Sequence, residues 1–262
     1  MHGLGTIINT LAIVAGGAGG ALFGKFLKED VQDTLTKCCG VSTLFIAITG
    51  ALEQMLTVEN GKIVSSGAML VILSLTIGAV IGELADLEGA FERFGEWLKQ
   101  KTGNAKDRKF VEAFVTASLT VCIGAMAIVG SIQDGITGDY SILATKAVLD
   151  FIIIMVMSCS LGRGAVFSAI PVAVLQGGVT ALAGLVRPLM TDAALANLSM
   201  VGNVLIFCVG INLVWGKKVR VANLLPAIVI AVIAAFLPMY HFQFCAKYKG
   251  VSSPAFSDSL YI

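Results

Sequence analysis

The sequence predicts an all-α polytopic membrane protein with about eight transmembrane helices. The chain has 262 residues, of which 56% are hydrophobic and only 13% are charged, and its mean hydropathy is +0.88. A soluble globular domain carries about 25% charged residues, so this chain has roughly half the usual share. Its apolar residues also gather into runs of about 20, the length that a helix needs to cross the hydrocarbon core.

The predicted spans are apolar runs separated by polar or charged links. The run 141–186 is too long for one crossing, and the sequence Gly162-Arg163-Gly164 divides it into two spans. Pro171 and Gln176 fall inside the second of these, which is therefore predicted to be an interrupted helix that packs against other helices or lines a cavity. The eight spans are 4–24, 38–56, 65–84, 110–132, 141–161, 165–186, 195–215 and 222–239.

The first span carries a face of small residues. Gly16, Gly20 and Gly24 recur at every fourth position, a pattern typical of close helix packing in membranes. The same pattern would suit intrachain packing or a homo-oligomer. Asn9 lies near the start of this span and is predicted either to make an interhelical hydrogen bond or to contact a ligand.

The link 86–109 begins with an amphipathic segment, predicted to be a helix that lies along the membrane surface up to residue 101. Its apolar positions are Leu87, Phe91, Phe94 and Leu98. Trp97 beside them suits a membrane interface.

The distribution of basic residues predicts the orientation. Thirteen Lys and Arg residues fall in the first, third, fifth and seventh links, against four in the even-numbered links and the C-terminal tail. Cytoplasmic links carry the excess of basic residues, so both termini are predicted to be outside and the link 86–109 cytoplasmic. Residues 1–239 would form a single transmembrane domain, and 240–262 a polar tail.

The segment 131–150 holds the densest set of polar groups next to, or inside, membrane-length runs. Gln133 and Asp134 are predicted to lie in the outer link, while Lys146 and Asp150 lie inside the fifth span, one helical turn apart. Ionisable residues within a span are costly and usually functional. The candidate substrate or ion pathway therefore consists of these four residues together with Asn9 and Gln176. For Lys146 and Asp150 the alternative is a structural ion pair.

A weak internal similarity relates the second and seventh spans. An alignment without gaps places Gly40 opposite Gly202 and Phe45 opposite Phe207. The first three and last three spans would then be repeats of opposite orientation, as in many secondary transporters.

No cofactor, metal site or nucleic-acid partner is predicted. Six cysteines are present without a CxxC motif, and most lie in apolar runs as small buried hydrophobes. The two histidines, His2 and His241, are both near the termini, and no basic patch with interleaved aromatic residues occurs.

Several motifs carry a resemblance to a known family. They are GTIIN, GELADLE, FVTASLTVCIGAMAIVGSIQDGITGDYS, FSAIPVAVLQG and ANLLPA. With them the chain, from residue 3 to 237, resembles the YqgA/YdfK-like family of bacterial multi-pass cytoplasmic-membrane proteins, grouped as a domain of unknown function. The resemblance implies location and topology class, and it carries over neither an activity nor catalytic residues.

Three functions are compatible with these features. The intramembrane charges, the interrupted span and the candidate repeat favour a secondary transporter or channel for a small solute or ion. A non-transporting scaffold or sensor would need a soluble partner, with 86–109 as its docking surface. An intramembrane enzyme is disfavoured, because HExxH, GxSxG and phosphate-loop motifs do not occur.

Overall fold

The structure, a computed structural model, describes residues 2–237 except 25, 60, 106 and 108. Its α-helices are α1 (Leu4–Gly24), α2 (Glu29–Met55), α3 (Ala68–Ala85), α4 (Leu87–Lys101), α5 (Phe110–Cys122), α6 (Ala125–Thr137), α7 (Ser141–Ser160), α8 (Ala169–Ala181), α9 (Ala183–Val186), α10 (Asp192–Trp215) and α11 (Pro226–Ala234). Short 3-10 helices span Arg163–Ser168, Arg187–Leu189 and Val221–Leu224. The predicted tail 240–262 lies outside the described residues.

The predicted class, an all-α polytopic membrane protein, is confirmed. Within the described residues, six helices are long and apolar enough to cross a membrane. They are α1, α2, α3, α7, α10 and the continuous helical segment that α8 forms with the preceding 3-10 turn. The predicted division of 141–186 is confirmed, because α7 ends at Ser160 and the 3-10 turn begins at Arg163. The predicted interruption at Pro171 and Gln176 is wrong, because α8 continues through both residues; Pro171 lies in its first turn, where a proline is tolerated.

Two predicted spans differ from simple helices. The fourth is broken between α5 and α6, which are bent by 62° relative to each other. The break lies at Gly124, whose φ of 154° is accessible mainly to glycine. The eighth is a short apolar helical segment, Val221–Ala234, and the end of that predicted span lies outside the described residues.

Glycine contacts define the relative directions of the helices. A side chain at Gly16, Gly20 or Gly24 of α1 would meet the backbone of Phe151, Met155 or Cys159 of α7, so the two helices run parallel. In contrast, α2 runs antiparallel to α10, since Gly40 packs against Val214 and Gly50 against Asn203. The helix α3 runs antiparallel to α11, since Gly78 packs against Ala227 and Gly82 against Asn223. These directions are the ones that eight alternating spans would have. The count of eight and the inverted repeat stay predictions.

The helix α5 lies at the centre of the core. Eight of its thirteen residues are buried, including Phe110 and Phe114. Gly164 of the 3-10 turn packs directly against the backbone of Phe110, and α4, α7, α8 and α10 also contact α5. The charged and polar groups described below are therefore held by tightly packed helices.

Two regions differ from the predicted links. The helix α2 begins at Glu29, so most of the charged segment 25–37 is helical rather than a link. Between α2 and α3, strands β1 (Leu56–Glu59) and β2 (Lys62–Ser65) form an antiparallel hairpin that pairs Leu56 with Ser65. An Asn-Gly dipeptide in the sequence is the turn signal for this hairpin.

The predicted amphipathic helix is confirmed as α4. Leu98 is buried and Phe91 packs against the core, while Arg93, Glu96 and Lys101 are exposed. Trp97 is half-exposed and stacks on Phe94, with ring centroids 5.8 Å apart, and Phe94 in turn contacts Phe114 of α5. These contacts attach α4 to the core.

Candidate functional site

The helices α1, α7 and α8 bring four polar side chains together inside the apolar core. The glycine face of α1 lets its backbone approach α7 closely, and this approach places Asn9 beside Asp150. Gln176 reaches the same point from α8. With Lys146 these residues form a buried cluster, named here the Asp150 cluster.

Asp150 is bound by two donors. The Nζ atom of Lys146 lies 2.9 Å from Oδ1 of Asp150, and Nδ2 of Asn9 donates to Oδ2 at 3.0 Å. Asp150 is 2% exposed and Lys146 is 9% exposed. The predicted ion pair is therefore present, and the carboxylate has in addition a neutral partner on another helix.

Asn9 connects Asp150 to Gln176. Its Nδ2 atom also donates to Oε1 of Gln176 at 3.2 Å, and neither Asn9 nor Gln176 is more than 1% exposed. The prediction that Gln176 faces the protein interior is confirmed. The amide orientation of Asn9 follows from its partners, because a carboxylate and a carbonyl oxygen both accept hydrogen bonds and must face the nitrogen.

Two atoms of this cluster are buried without a hydrogen-bond partner among the described residues. They are Oδ1 of Asn9 and Nε2 of Gln176, one acceptor and one donor. Leaving a buried polar group unpaired costs about 1–3 kcal/mol, so such groups usually meet water or a ligand. The site can thus offer both kinds of hydrogen bond to another molecule.

The break between α5 and α6 lies between two helices that both contact α7, the helix that carries Lys146 and Asp150. A broken helix leaves backbone carbonyls at one end and N–H groups at the other, and transporters use such ends to bind ions and polar solutes. A side chain at Gly124 would meet nothing within 4 Å, so the break has free space beside it.

Asp134 has a different environment from the predicted one. It lies in the last turn of α6 and is fully buried, so it cannot be an exposed charge in the outer link. Its Oδ1 and Oδ2 atoms accept hydrogen bonds from the backbone N–H groups of Gly3 and Gly5, at 3.1 and 3.0 Å. Asp134 therefore caps the N-terminus of α1, where a negative charge is favourable.

Gln133 is near Asp134 in sequence but does not join the Asp150 cluster. Its Nε2 atom donates to Asp139 at 2.8 Å in the turn before α7. The backbone N–H of Ser141 also donates to Asp139, and these hydrogen bonds lower the pKa of the Asp139 carboxyl below its usual value. Gln133 and Asp139 thus help to order the turn between α6 and α7.

A second polar cluster, on the predicted cytoplasmic side, was not predicted from the sequence. Glu88 of α4 is 6% exposed, forms an ion pair with Lys217 at 3.0 Å and accepts a hydrogen bond from the backbone of Ala222. Its own N–H donates to Asn223 at 2.7 Å, and Nδ2 of Asn223 is buried without a partner in the described part of the chain. The sequence feature that could have indicated this cluster is Glu88, an acidic residue in the first turn of an amphipathic helix.

Among the residues that the structure describes, no three His, Cys, Asp or Glu side chains come close enough together to hold a metal ion. The chemistry that the described side chains offer at the Asp150 cluster is hydrogen bonding and ion pairing.

Comparison with known proteins places these features in a family. The family model described as "Protein of unknown function (DUF554)" matches residues 4–236. "Uncharacterized protein YqgA" of Escherichia coli (strain K12) is 30% identical over 232 residues, covering 87% of this chain and 94% of the relative. "Uncharacterized membrane protein YdfK" of Bacillus subtilis (strain 168) is 29% identical over 233 residues, covering 89% and 96%. No solved structure matches the chain.

Proposed function

The chain belongs to the DUF554 family, and we propose that it is a secondary transporter or channel for a small solute or ion in the bacterial cytoplasmic membrane. The observation that carries this proposal is the buried Asp150 cluster, in which Asp150 is bound by Lys146 and by Asn9. A charged side chain at the centre of a membrane helix costs about 2.5–3.5 kcal/mol by insertion scales, so ionisable residues there usually have a role.

The position of the cluster supports a pathway. Asp150 is nine residues from the start of α7, about 13 Å along the helix at 1.5 Å per residue. With the orientation predicted from the basic residues, the carboxylate would lie in the outer half of the membrane. The break at Gly124 and the 3-10 turn before α8 are interruptions of the kind that transporters have near their binding sites.

Asp150 is the proposed coupling or gating carboxylate. Lys146 and Asn9 hold it in place, and a proton that displaced one of these two partners would release the other. Because the cluster joins α1, α7 and α8, such a change would alter the contacts among three helices at once. Gln176 would sense the change through Asn9.

Flux into liposomes that contain the purified protein tests the proposal. We would screen amino acids, organic acids and monovalent ions, and then compare Asp150→Asn, Lys146→Met, Asp150→Leu and the double variant Lys146→Met with Asp150→Leu. If Asp150 handles an ion, the double variant should fold and stay inactive. Asn203→Leu is a matched control, because the Asn203 amide bonds to Ser199 of its own helix.

Two results would contradict this assignment. Full flux in a well-folded Asp150→Asn variant would exclude a coupling role for the carboxylate. If flux is lost in each single variant and restored in the double variant, Lys146 and Asp150 form only a structural ion pair.

A scaffold or sensor is the second candidate function, and the surface of α4 favours it. Asp86, Glu92, Arg93 and Trp97 line an open groove of about 630 Å³ on this helix. Absence of flux for every solute, together with specific binding of a cytoplasmic protein that a charge reversal at Arg93 abolishes, would favour this function over transport.

A further inference from the structure

We infer that the Asp150 cluster binds a small solute without net charge that both accepts and donates hydrogen bonds. This inference rests on the proposed function and specifies the substrate class. Amides, polyols and amino-acid zwitterions share the required chemistry.

The hydrogen-bonding groups of the cluster are only partly used. Both N–H groups of Asn9 have acceptors, on Asp150 and Gln176, and one lone-pair side of Gln176 Oε1 is occupied. The acceptor Oδ1 of Asn9 and the donor Nε2 of Gln176 have no partner among the described residues. Since a 3.2 Å hydrogen bond joins the two side chains, one small molecule can reach both free groups.

The charge of the cluster favours a solute without net charge. Lys146 and Asp150 neutralise each other at 2.9 Å, and Asn9 and Gln176 are neutral. A lone cation or anion brought to this buried site would lack a counter-charge, which is costly in a low-dielectric environment. A zwitterion or an uncharged polar molecule keeps the balance.

Gly177, the neighbour of Gln176 in α8, has open space beside it. A side-chain carbon at Gly177 would meet only the Thr6 methyl group, at 4.0 Å. Thr6 lies one helical turn from Asn9 in α1, Thr180 lies one turn from Gln176 in α8, and their Oγ1 atoms are 3.4 Å apart. Two hydroxyl groups therefore lie one turn from the unpaired amide groups, which are themselves buried.

Binding to the purified protein in detergent tests this inference without relying on flux. The probes are glycine and alanine as zwitterions, acetamide and glycerol as uncharged molecules, and sodium, chloride, acetate and methylammonium as ions. We expect at least one net-neutral probe to raise the melting temperature saturably. Comparing the zwitterions with the uncharged molecules shows which of these two classes the site binds. The ions should give no saturable shift.

Variants assign the binding to the cluster. Gln176→Met and Asn9→Leu should each weaken binding of the effective probe roughly tenfold or more, because each removes one hydrogen-bonding group. Gln176→Glu keeps the shape of the side chain but replaces the donor with an acceptor, and it should also lose binding. Asn203→Leu should bind as the wild type does.

The outcomes separate this inference from the transport proposal. The inference would be overturned if only ions shifted the melting temperature saturably. It would also be overturned if no net-neutral probe shifted the melting temperature, which would mean that water alone occupies the site. Flux of an ion without neutral-solute binding would leave the proposed function standing and the inference refuted. Binding that is intact in Gln176→Met would also refute it.

Discussion

Asn9 of α1 and Asp150 of α7 are joined by a hydrogen bond of 3.0 Å across two parallel helices. The carboxylate is thus held by two neighbours, one in its own helix and one in another. Because Asn9 also donates a hydrogen bond to Gln176, the contacts of Asp150 are connected to the packing of α1, α7 and α8.

The stability of the Lys146–Asp150 pair can be tested apart from flux. Lys146→Met leaves a buried carboxylate without its counter-charge, and we expect it to lower the free energy of unfolding by about 3–5 kcal/mol. The double variant Lys146→Met with Asp150→Leu should recover most of this loss, because no unpaired charge remains. Unfolding in detergent followed by circular dichroism measures the difference. A double variant as unstable as Lys146→Met would contradict the expectation.

The close approach of α1 and α7 gives a second prediction. Gly20→Ala would place a methyl group against the backbone carbonyl of Met155, whereas at Gly19 nothing lies within 4 Å. We expect Gly20→Ala to destabilise the protein by about 1–3 kcal/mol, as overpacking does. Gly19→Ala is the matched control and should melt within a few degrees of the wild type. Equal melting temperatures for the two variants would mean that this interface is looser than the structure indicates.

Asp134 should stabilise the first turn of α1. Asp134→Ala removes the acceptor of the Gly3 and Gly5 N–H groups, and we expect a loss of about 0.5–2 kcal/mol, typical of a helix cap. Hydrogen exchange of the α1 amides measures the effect, which should be confined to the first turn. Asp139→Ala is the control, because Asp139 accepts from Ser141 at the start of α7 instead. Faster exchange in α7 rather than α1 on Asp134→Ala would refute the capping role.

The contacts of Lys217 give a pH dependence. Burial alone would lower the pKa of Lys217, but the hydrogen bonds and charges of Glu92 and Glu88 outweigh it and raise the pKa above its ordinary value. The stabilisation that charged Lys217 gives the folded protein is therefore fully present below about pH 10.4, the ordinary lysine pKa. It is lost as the pH rises through the higher pKa that Lys217 has in the folded protein. Because Lys217 is half-exposed, it amounts to at most about 1 kcal/mol.

Melting temperatures of the wild type and Lys217→Met from pH 8 to 11.5 would measure this contribution. The wild type should be the more stable protein at pH 8, and the difference should disappear at the alkaline end. A difference that stays constant over the whole range would show that Lys217 acts through packing rather than charge.

The predicted orientation can be tested by cysteine labelling. In a chain whose native cysteines are replaced, a cysteine at Ser252 should react with a membrane-impermeant thiol reagent in intact cells. A cysteine at Gln100 of α4 should react only after lysis, because the link 86–109 is predicted to be cytoplasmic. Ser252 lies outside the described residues, so this prediction depends on the basic residues alone. A protected Ser252 position would contradict the eight-span topology.

Broken helices mark the limit of what a sequence pattern predicts here. The span 110–132 is predominantly apolar, so hydropathy predicts one straight helix, whereas Gly124 adopts a φ of 154° and breaks it. The sequence pattern likewise assigns Asp134 to a polar link, whereas α6 continues to Thr137 and packs against α1, α7, α8 and α9. In both cases the local composition is compatible with either conformation.

The amino-acid sequence by itself determined the membrane class, the division of 141–186 into two segments, the amphipathic α4 and the Lys146–Asp150 pair. Each depends on periodicity or on spacing within one helix, which are local properties of the chain. Only the tertiary structure decided that Asn9 and Gln176 complete the Asp150 cluster, that Asp134 caps α1, and that Glu88 pairs with Lys217. These contacts join residues more than a hundred positions apart, and they depend on which helices pack together and in which direction.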